Sequence, residues 1–157
     1  MSADTVFDAA AGQGRDWIAA RIPHQGRMCL LQSVLECSPA RIRCRTRSHR
    51  DADHPLACEG VLRSAAAIEY AAQAMALHGA LNLREGVIGR PGYIASARDV
   101  RLHVPRLDEV AGELLVEAEN LAGNERQVAY RFAVREEEGQ PLVEGRVTVV
   151  LDTALPA

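Results

Sequence analysis

Aromatic residues are scarce in this chain: two phenylalanines, three tyrosines and one tryptophan among 157 residues. With apolar residues at 48%, that composition fits a globular chain whose length suits one domain with an adequate core. No apolar run approaches the roughly 20 residues needed to cross a bilayer, so no membrane span is expected. The N-terminus lacks a basic segment followed by an apolar one, so no signal peptide is expected and the reading is cytoplasmic. Cys29, Cys37, Cys44 and Cys58 show no C-x-x-C spacing. That excludes a recognisable zinc knuckle and favours reduced thiols over disulfides. There is no excess of basic residues; the net charge of -3 argues against a nucleic-acid partner. Neither a repeat nor a low-complexity tract is present.

What the chain does have is one stretch, 64–81, made almost wholly of Ala, Leu, Met, Glu and Gln, all strong helix formers. Ser64 suits the N-cap, and Gly79 with Asn82 marks the end. The stretch is apolar nearly all round, which a surface helix would not be. It therefore belongs at the centre. Only Glu69, Gln73 and His78 interrupt it, and Glu69 and Gln73, four apart, share a face.

Strands flank this helix. Met28–Cys37 is an apolar run closed by Ser38-Pro39. Residues 40–48 alternate, with Arg41, Arg43, Arg45 and Arg47 on one face and Ile42, Cys44, Thr46 and Ser48 on the other. After the helix come a connector over 83–92 and strands over 93–104, 113–121, 127–135 and 142–151. The third of these sets Val128, Tyr130, Phe132 and Val134 against Ala129, Arg131, Ala133 and Arg135. Short loops between consecutive strands predict an antiparallel meander. The expected fold is α+β, one curved antiparallel sheet wrapped around a long central helix. Residues 1–13 are expected to fray, 14–152 to form the single domain, and 153–157 to form a tail.

The candidate chemistry lies at the helix start. His54, held extended by Pro55, sits on a loop fifteen residues before Glu69. A histidine and a carboxyl group form a workable acid–base pair, and a helix N-terminus offers backbone N–H groups to a developing oxyanion. Together these suit proton abstraction next to a carbonyl. The plain alternatives are a solvated loop histidine and a carboxylate in a structural network. The arginine stripe at 41, 43, 45 and 47 either receives an acidic carrier protein or is a solvated face paired with neighbouring acids. His24 reads as a loop-packing residue, His49 as a rival base, His78 as a helix-end or interface residue, and His103 as a strand surface residue.

Ile22-Pro23-His24-Gln25-Gly26-Arg27-Met28-Cys29-Leu30-Leu31 resembles the L-P-H-R-Y-P-F-L-L opening of the 3-hydroxyacyl-[acyl carrier protein] dehydratases of the FabZ type. His54-Pro55-Leu56 stands where those enzymes carry the catalytic histidine. Glu69-Tyr70-Ala71-Ala72-Gln73-Ala74 stands where they carry the acidic residue, and residues 93–102 look like their first strand after the helix. The likeness covers roughly 17–151 and is nearest to the ApeP-like dehydratases of aryl polyene clusters. It implies a hotdog fold and an acyl carrier protein thioester as substrate. It also implies a homodimer, with a heterodimer with another hotdog subunit as the variant. No metal and no organic cofactor is implied. By this resemblance His54 removes the α-proton of a 3-hydroxyacyl thioester, and a protonated Glu69 delivers a proton to the departing hydroxyl. Ser64, Ala65, Gly60 and Gln73 surround the thioester, and the product is a trans-2-enoyl thioester of fatty acid, polyketide or aryl polyene synthesis. The glycine-rich G-H-F-P-G loop of the family is absent, with only Gly60 remaining. That leaves open an acyl-binding partner subunit with weak or no activity of its own; a hotdog acyl thioesterase, which would also use a carboxylate near a helix, is the other class.

Overall fold

The computed structural model describes residues 3–83, 92–137 and 139–151. The connector over 84–91 and the tail over 153–157 lie outside the described residues. Six strands form one antiparallel sheet around a long helix. The order along the chain is α1 (Ala3–Ala10), α2 (Arg15–Ala19), β1 (Ser33–Cys37), β2 (Arg41–Thr46), α3 (Ala67–Leu81), β3 (Gly92–Leu102), β4 (Leu114–Gly123), β5 (Gln127–Glu136) and β6 (Pro141–Leu151). This is the α+β arrangement expected from the alternating strands and the apolar helix, and the hotdog fold that the resemblance implies. None of the helices among the described residues is long and apolar enough to cross a membrane.

The core is the seam between α3 and the inner face of the sheet. Tyr70, Ala71, Ala74, Leu77 and His78 of the helix are fully buried, facing Ile42, Cys44, Val116, Phe132, Val134 and Val143. The period-two strands place these apolar residues inward and their arginines and glutamates outward. His78 ties the two layers together. Its Nδ1 lies 2.9 Å from Tyr130 Oη and its Nε2 lies 2.8 Å from Ser38 O. A carbonyl only accepts, so Nε2 carries the proton and Tyr130 donates to Nδ1. His78 is therefore a core residue rather than one at a free helix end.

The observed elements differ from the sequence reading in four places. Residues 1–13, expected to fray, contain α1, with Phe7 and Ala10 buried in the main core. The strand expected from Met28 begins only at Ser33, because the backbone at Met28 and Leu30 is bonded by side chains instead of by a neighbouring strand. Gln73 Oε1 accepts from Leu30 N, Gln73 Nε2 donates to Met28 O, and the Thr46 and Ser48 hydroxyls donate to Leu30 O. Ser64 makes no capping bond; a short 3-10 turn, Ser64–Ala66, leads into α3, and the Ser64 side chain is buried. Finally, the strands after the helix are a meander only from β4 to β6. The sheet order is β1-β2-β4-β5-β6-β3, which puts β3 at the far edge beside β6. Alternation identifies a strand but does not name its neighbours.

His49, His54 and His78 are all buried. Burial is the first cause holding each imidazole below its usual value of 6.5. Above that value the rings are neutral whether folded or not, and they contribute nothing to pH dependence. Below it the unfolded chain takes up protons that the folded chain resists, so stability falls. Thermal midpoints measured from about pH 7.5 down to about pH 5 should therefore drop, with each ring adding at most about 1.4 kcal/mol per pH unit. His78→Gln should reduce the slope. A flat profile would show that these rings are not buried in neutral form.

Candidate active site

His54 sits in the tight loop between β2 and α3. Its N–H donates to Asp51 O at 3.3 Å and its carbonyl accepts from Ala57 N at 3.1 Å. The ring is only 5% exposed. It borders a cavity of about 310 Å³ lined with Arg15, Arg27, Cys29, Asp51 and Asp53. Arg27 and Asp53 pair across the rim at 3.2 Å.

Both ring nitrogens are engaged. Leu56 N–H donates to Nδ1 at 3.0 Å, and Nε2 lies 2.9 Å from Tyr70 Oη. Tyr70 Oη is 2.8 Å from Ser48 Oγ, which donates to Leu30 O at 2.7 Å. Two separate constraints fix the tautomer. At one end a backbone N–H requires a lone pair on Nδ1. At the other, the chain of donors ending at a carbonyl makes Tyr70 donate to Ser48 and accept from Nε2–H. The neutral ring thus holds its proton at Nε2, directed at a buried phenol. Burial lowers the pKa of His54, opposed by the charge of Asp51; it raises that of the Tyr70 hydroxyl.

Glu69 precedes Tyr70, and consecutive helix residues point about 100° apart. Its side chain is 32% exposed, with Oε1 3.0 Å from His24 Nε2 and 3.1 Å from Gln73 Nε2. The contacts of Glu69 favour its charged form over the protonated carboxyl expected from the resemblance. The hydrogen bond from His24, ahead of desolvation, holds the pKa below the usual carboxylate value. Desolvation is incomplete at a half-exposed site, and two donors favour the charged form. Within one chain His54 and Glu69 face different ways and do not bond to each other.

His24, read as a packing residue, is the side chain that meets Glu69. Its loop is pinned by Gln25, whose Nε2 donates to Ala19 O at 2.6 Å and Ile22 O at 3.0 Å. The other ring nitrogen, Nδ1, is buried without a partner. The L-P-H resemblance was the available signal for this residue. Tyr70 gave none, since an inward tyrosine on an apolar helix looks like core.

The remaining candidates divide. Gln73 is fully buried and saturated by Met28, Leu30 and Glu69. Ser64 N–H donates to Pro105 O, while Ala65 is exposed at the same turn. Gly60, with φ +77, is the second central residue of a tight turn whose first, Glu59, is at φ +51. Cys58 and Val61 exchange backbone hydrogen bonds across it, so this position calls for glycine on backbone grounds. The arginine stripe is paired: Arg41 and Arg43 with Glu36, Arg43 with Glu117, Arg45 and Arg47 with Glu113. His49 Nε2 donates to Val110 O in the core, and His103 pairs with Glu144 on the surface.

Residues 17–155 match the model of the ApeP-like family, described as ApeP dehydratase. None of the curated proteins matches the chain. Among solved structures, the dehydratase heterocomplex ApeI:P from Xenorhabdus doucetiae superposes with a TM-score of 0.77 at 24% identity, covering 87% of this chain and 91% of that one. An HP0420-homologue from Helicobacter felis gives 0.62 at 14% identity, covering 90% and 92%. A mutant thioesterase from Pseudomonas aeruginosa gives 0.55 at 12% identity, covering 76% and 79%. At these identities the structures speak for the fold.

If His24 holds Glu69 ionised, His24→Ala should raise the Glu69 pKa toward its usual 4.5. In the intact chain the bond stabilises the fold above that value, and this contribution disappears as pH falls through the lower folded pKa. Carbon-detected NMR titration of the glutamate carboxyls reads the change directly. An unmoved Glu69 titration would show that the bond is not formed in solution.

Proposed function

Because the chain belongs to the ApeP-like dehydratase family, we propose that it takes part in dehydrating a 3-hydroxyacyl thioester on acyl carrier protein, in a site shared with a second hotdog subunit. The observation that carries this reading is the separation of the two acid–base groups. His54 turns inward onto Tyr70, whereas Glu69 turns outward onto a half-buried helix face that includes Ile68, Ala72, Ala76 and Ala80. Within one chain His54 does not meet Glu69, so chemistry that pairs Glu69 with a base in the position His54 holds in the sequence motif draws that base from another chain.

In this reading Glu69 protonates the departing 3-hydroxyl. A subunit closing over its face strips water from the carboxyl and raises its pKa, which makes it an acid. Ala65, at the entry to α3, offers its N–H to the thioester oxygen as charge develops there. The α-proton goes to a histidine of the second subunit, and a trans-2-enoyl thioester and water result. His54 in this chain is a poor base, because its Nε2 already carries a proton directed at Tyr70 and the lone pair on Nδ1 is taken by Leu56 N–H. The second subunit is therefore a different hotdog chain, as the ApeI:P heterocomplex suggests by analogy.

A second reading has one observation in its favour. An ionised Glu69 activates water without further adjustment, which suits thioester hydrolysis of the kind named for the Pseudomonas aeruginosa structure.

One assay separates these. The pure chain is incubated with 3-hydroxyacyl and acyl thioesters of acyl carrier protein, alone and mixed with an ApeI-type hotdog subunit. Enoyl product should form only in the mixture. Glu69→Gln in this chain should reduce it on the order of a hundredfold or more, with His54→Gln far milder. Full dehydration by the pure chain, abolished by His54→Gln, would assign the base to His54 of a second copy instead. Free thiol without enoyl product would favour hydrolysis.

A further inference from the structure

The outer face of the sheet carries an arrangement that neither the fold nor the proposed chemistry uses. Arg98 of β3 stands directly opposite Arg146 of β6, and Arg146 stands directly opposite Arg131 of β5. The row continues to Glu119 of β4 and Arg41 of β2. Three arginines thus lie in register on adjacent strands, all exposed. Like charges directly opposite one another destabilise a sheet.

The two halves of this face differ in compensation. Over β2 and β4 each arginine of the stripe has a glutamate, and Arg131 reaches Glu119 at 3.5 Å. Over β6 and β3, Arg98, Arg101 and Arg146 have no ion pair and no side-chain hydrogen bond among the described residues. Glu144, which lies opposite Arg101, is occupied by His103 at 3.0 Å. A hollow of about 600 Å³ on this face is lined by Arg101, Arg131 and Arg146 together with Asp99, Glu117, Glu119 and Glu144. The chain as a whole is acidic, at -3, so the arginine row of β6 and β3 stands against the sign of its net charge.

We propose that the outer face of β5, β6 and β3 docks an acidic helix of a partner protein, laid across the strands with its carboxylates over Arg131, Arg146 and Arg98. The spacing fits. Neighbouring strands lie about 4.8 Å apart, so three arginines in register span about 10 Å. Glutamates on one helix face at i, i+4 and i+7 are separated by about 5 Å and span about 10 Å. A nucleic acid fits less well. Its phosphates follow one another every 3.4 Å or so along the axis, and the net negative charge of the chain repels a long polyanion. A second copy would bring the same arginines and repel. The inference stands on charge and register, and does not depend on the reaction assigned above.

The test uses the full chain, labelled with nitrogen-15, and an alanine-based helical peptide bearing glutamates at i, i+4 and i+7. A glutamine version of the peptide and a single-stranded oligonucleotide serve as comparisons. At low salt the glutamate peptide should shift resonances of β5, β6 and β3 while leaving those of β1 unmoved, and added salt should reverse the shifts. The glutamine peptide should not bind. Arg98→Thr combined with Arg146→Thr should weaken binding about tenfold, as expected for two partly screened charge pairs, while Arg45→Thr on the compensated half should change it less than about twofold. Should the double variant misfold, the resonance map and salt reversal on the unaltered chain decide. Absence of binding, shifts elsewhere, or tighter binding of the oligonucleotide would overturn the proposal.

Discussion

Three polar side chains on the central helix govern how everything else packs. Tyr70, Gln73 and His78 have no exposure to solvent, and a buried polar group without a partner is costly. Their partners come from backbone that the sheet ladder leaves free. Gln73 takes Met28 and Leu30, Tyr70 reaches Leu30 through Ser48, and His78 takes Ser38 in the turn between β1 and β2. The helix is thereby stitched to the N-terminal third of the chain, where hydrophobic contact alone would leave its rotation and height loosely set.

That stitching sorts the acid–base groups. Tyr70 must face inward to be satisfied, so Glu69, one position earlier, is carried toward the half-open side. The inward group holds His54 as a neutral donor in a dry environment. The outward group receives two donors and stays ionised while water still reaches it. One helix thus presents opposite electrostatic conditions on neighbouring faces, and burial acts in opposite directions on an imidazole and a carboxyl. Solved structures that share this fold include a dehydratase heterocomplex and a thioesterase, so the fold by itself does not name the reaction.

The sheet shows a similar division. Inward positions of β2, β5 and β6, among them Ile42, Cys44, Phe132, Val134, Val143 and Val147, are buried and define the core. Outward positions carry arginines and glutamates whose balance changes from one edge to the other, compensated near β2 and uncompensated near β3. Strand alternation decides which face a residue joins, but only strand order decides whether an arginine meets a glutamate or another arginine.

Much of the fold was legible because it depends on local periodicity. The period-two pattern over 127–135 and the all-round apolar character of 64–81 are properties of neighbouring residues, and they specified a buried helix within an antiparallel sheet. Glu69 also stood out in the sequence, since a carboxylate on an apolar helix demands a partner. What the sequence could not supply was anything decided by distant partners. The apolar run from Met28 looks like a strand until Gln73, more than forty residues away, claims its backbone. The adjacency of β3 and β6 follows from long-range pairing. The proton on His54 is set jointly by Leu56 and by a tyrosine sixteen residues further on, and the charge on Glu69 by a histidine forty-five residues before it. Periodicity fixes which way a side chain faces, whereas protonation and pairing depend on which atoms lie within about 3 Å, and only the tertiary structure brings those atoms together.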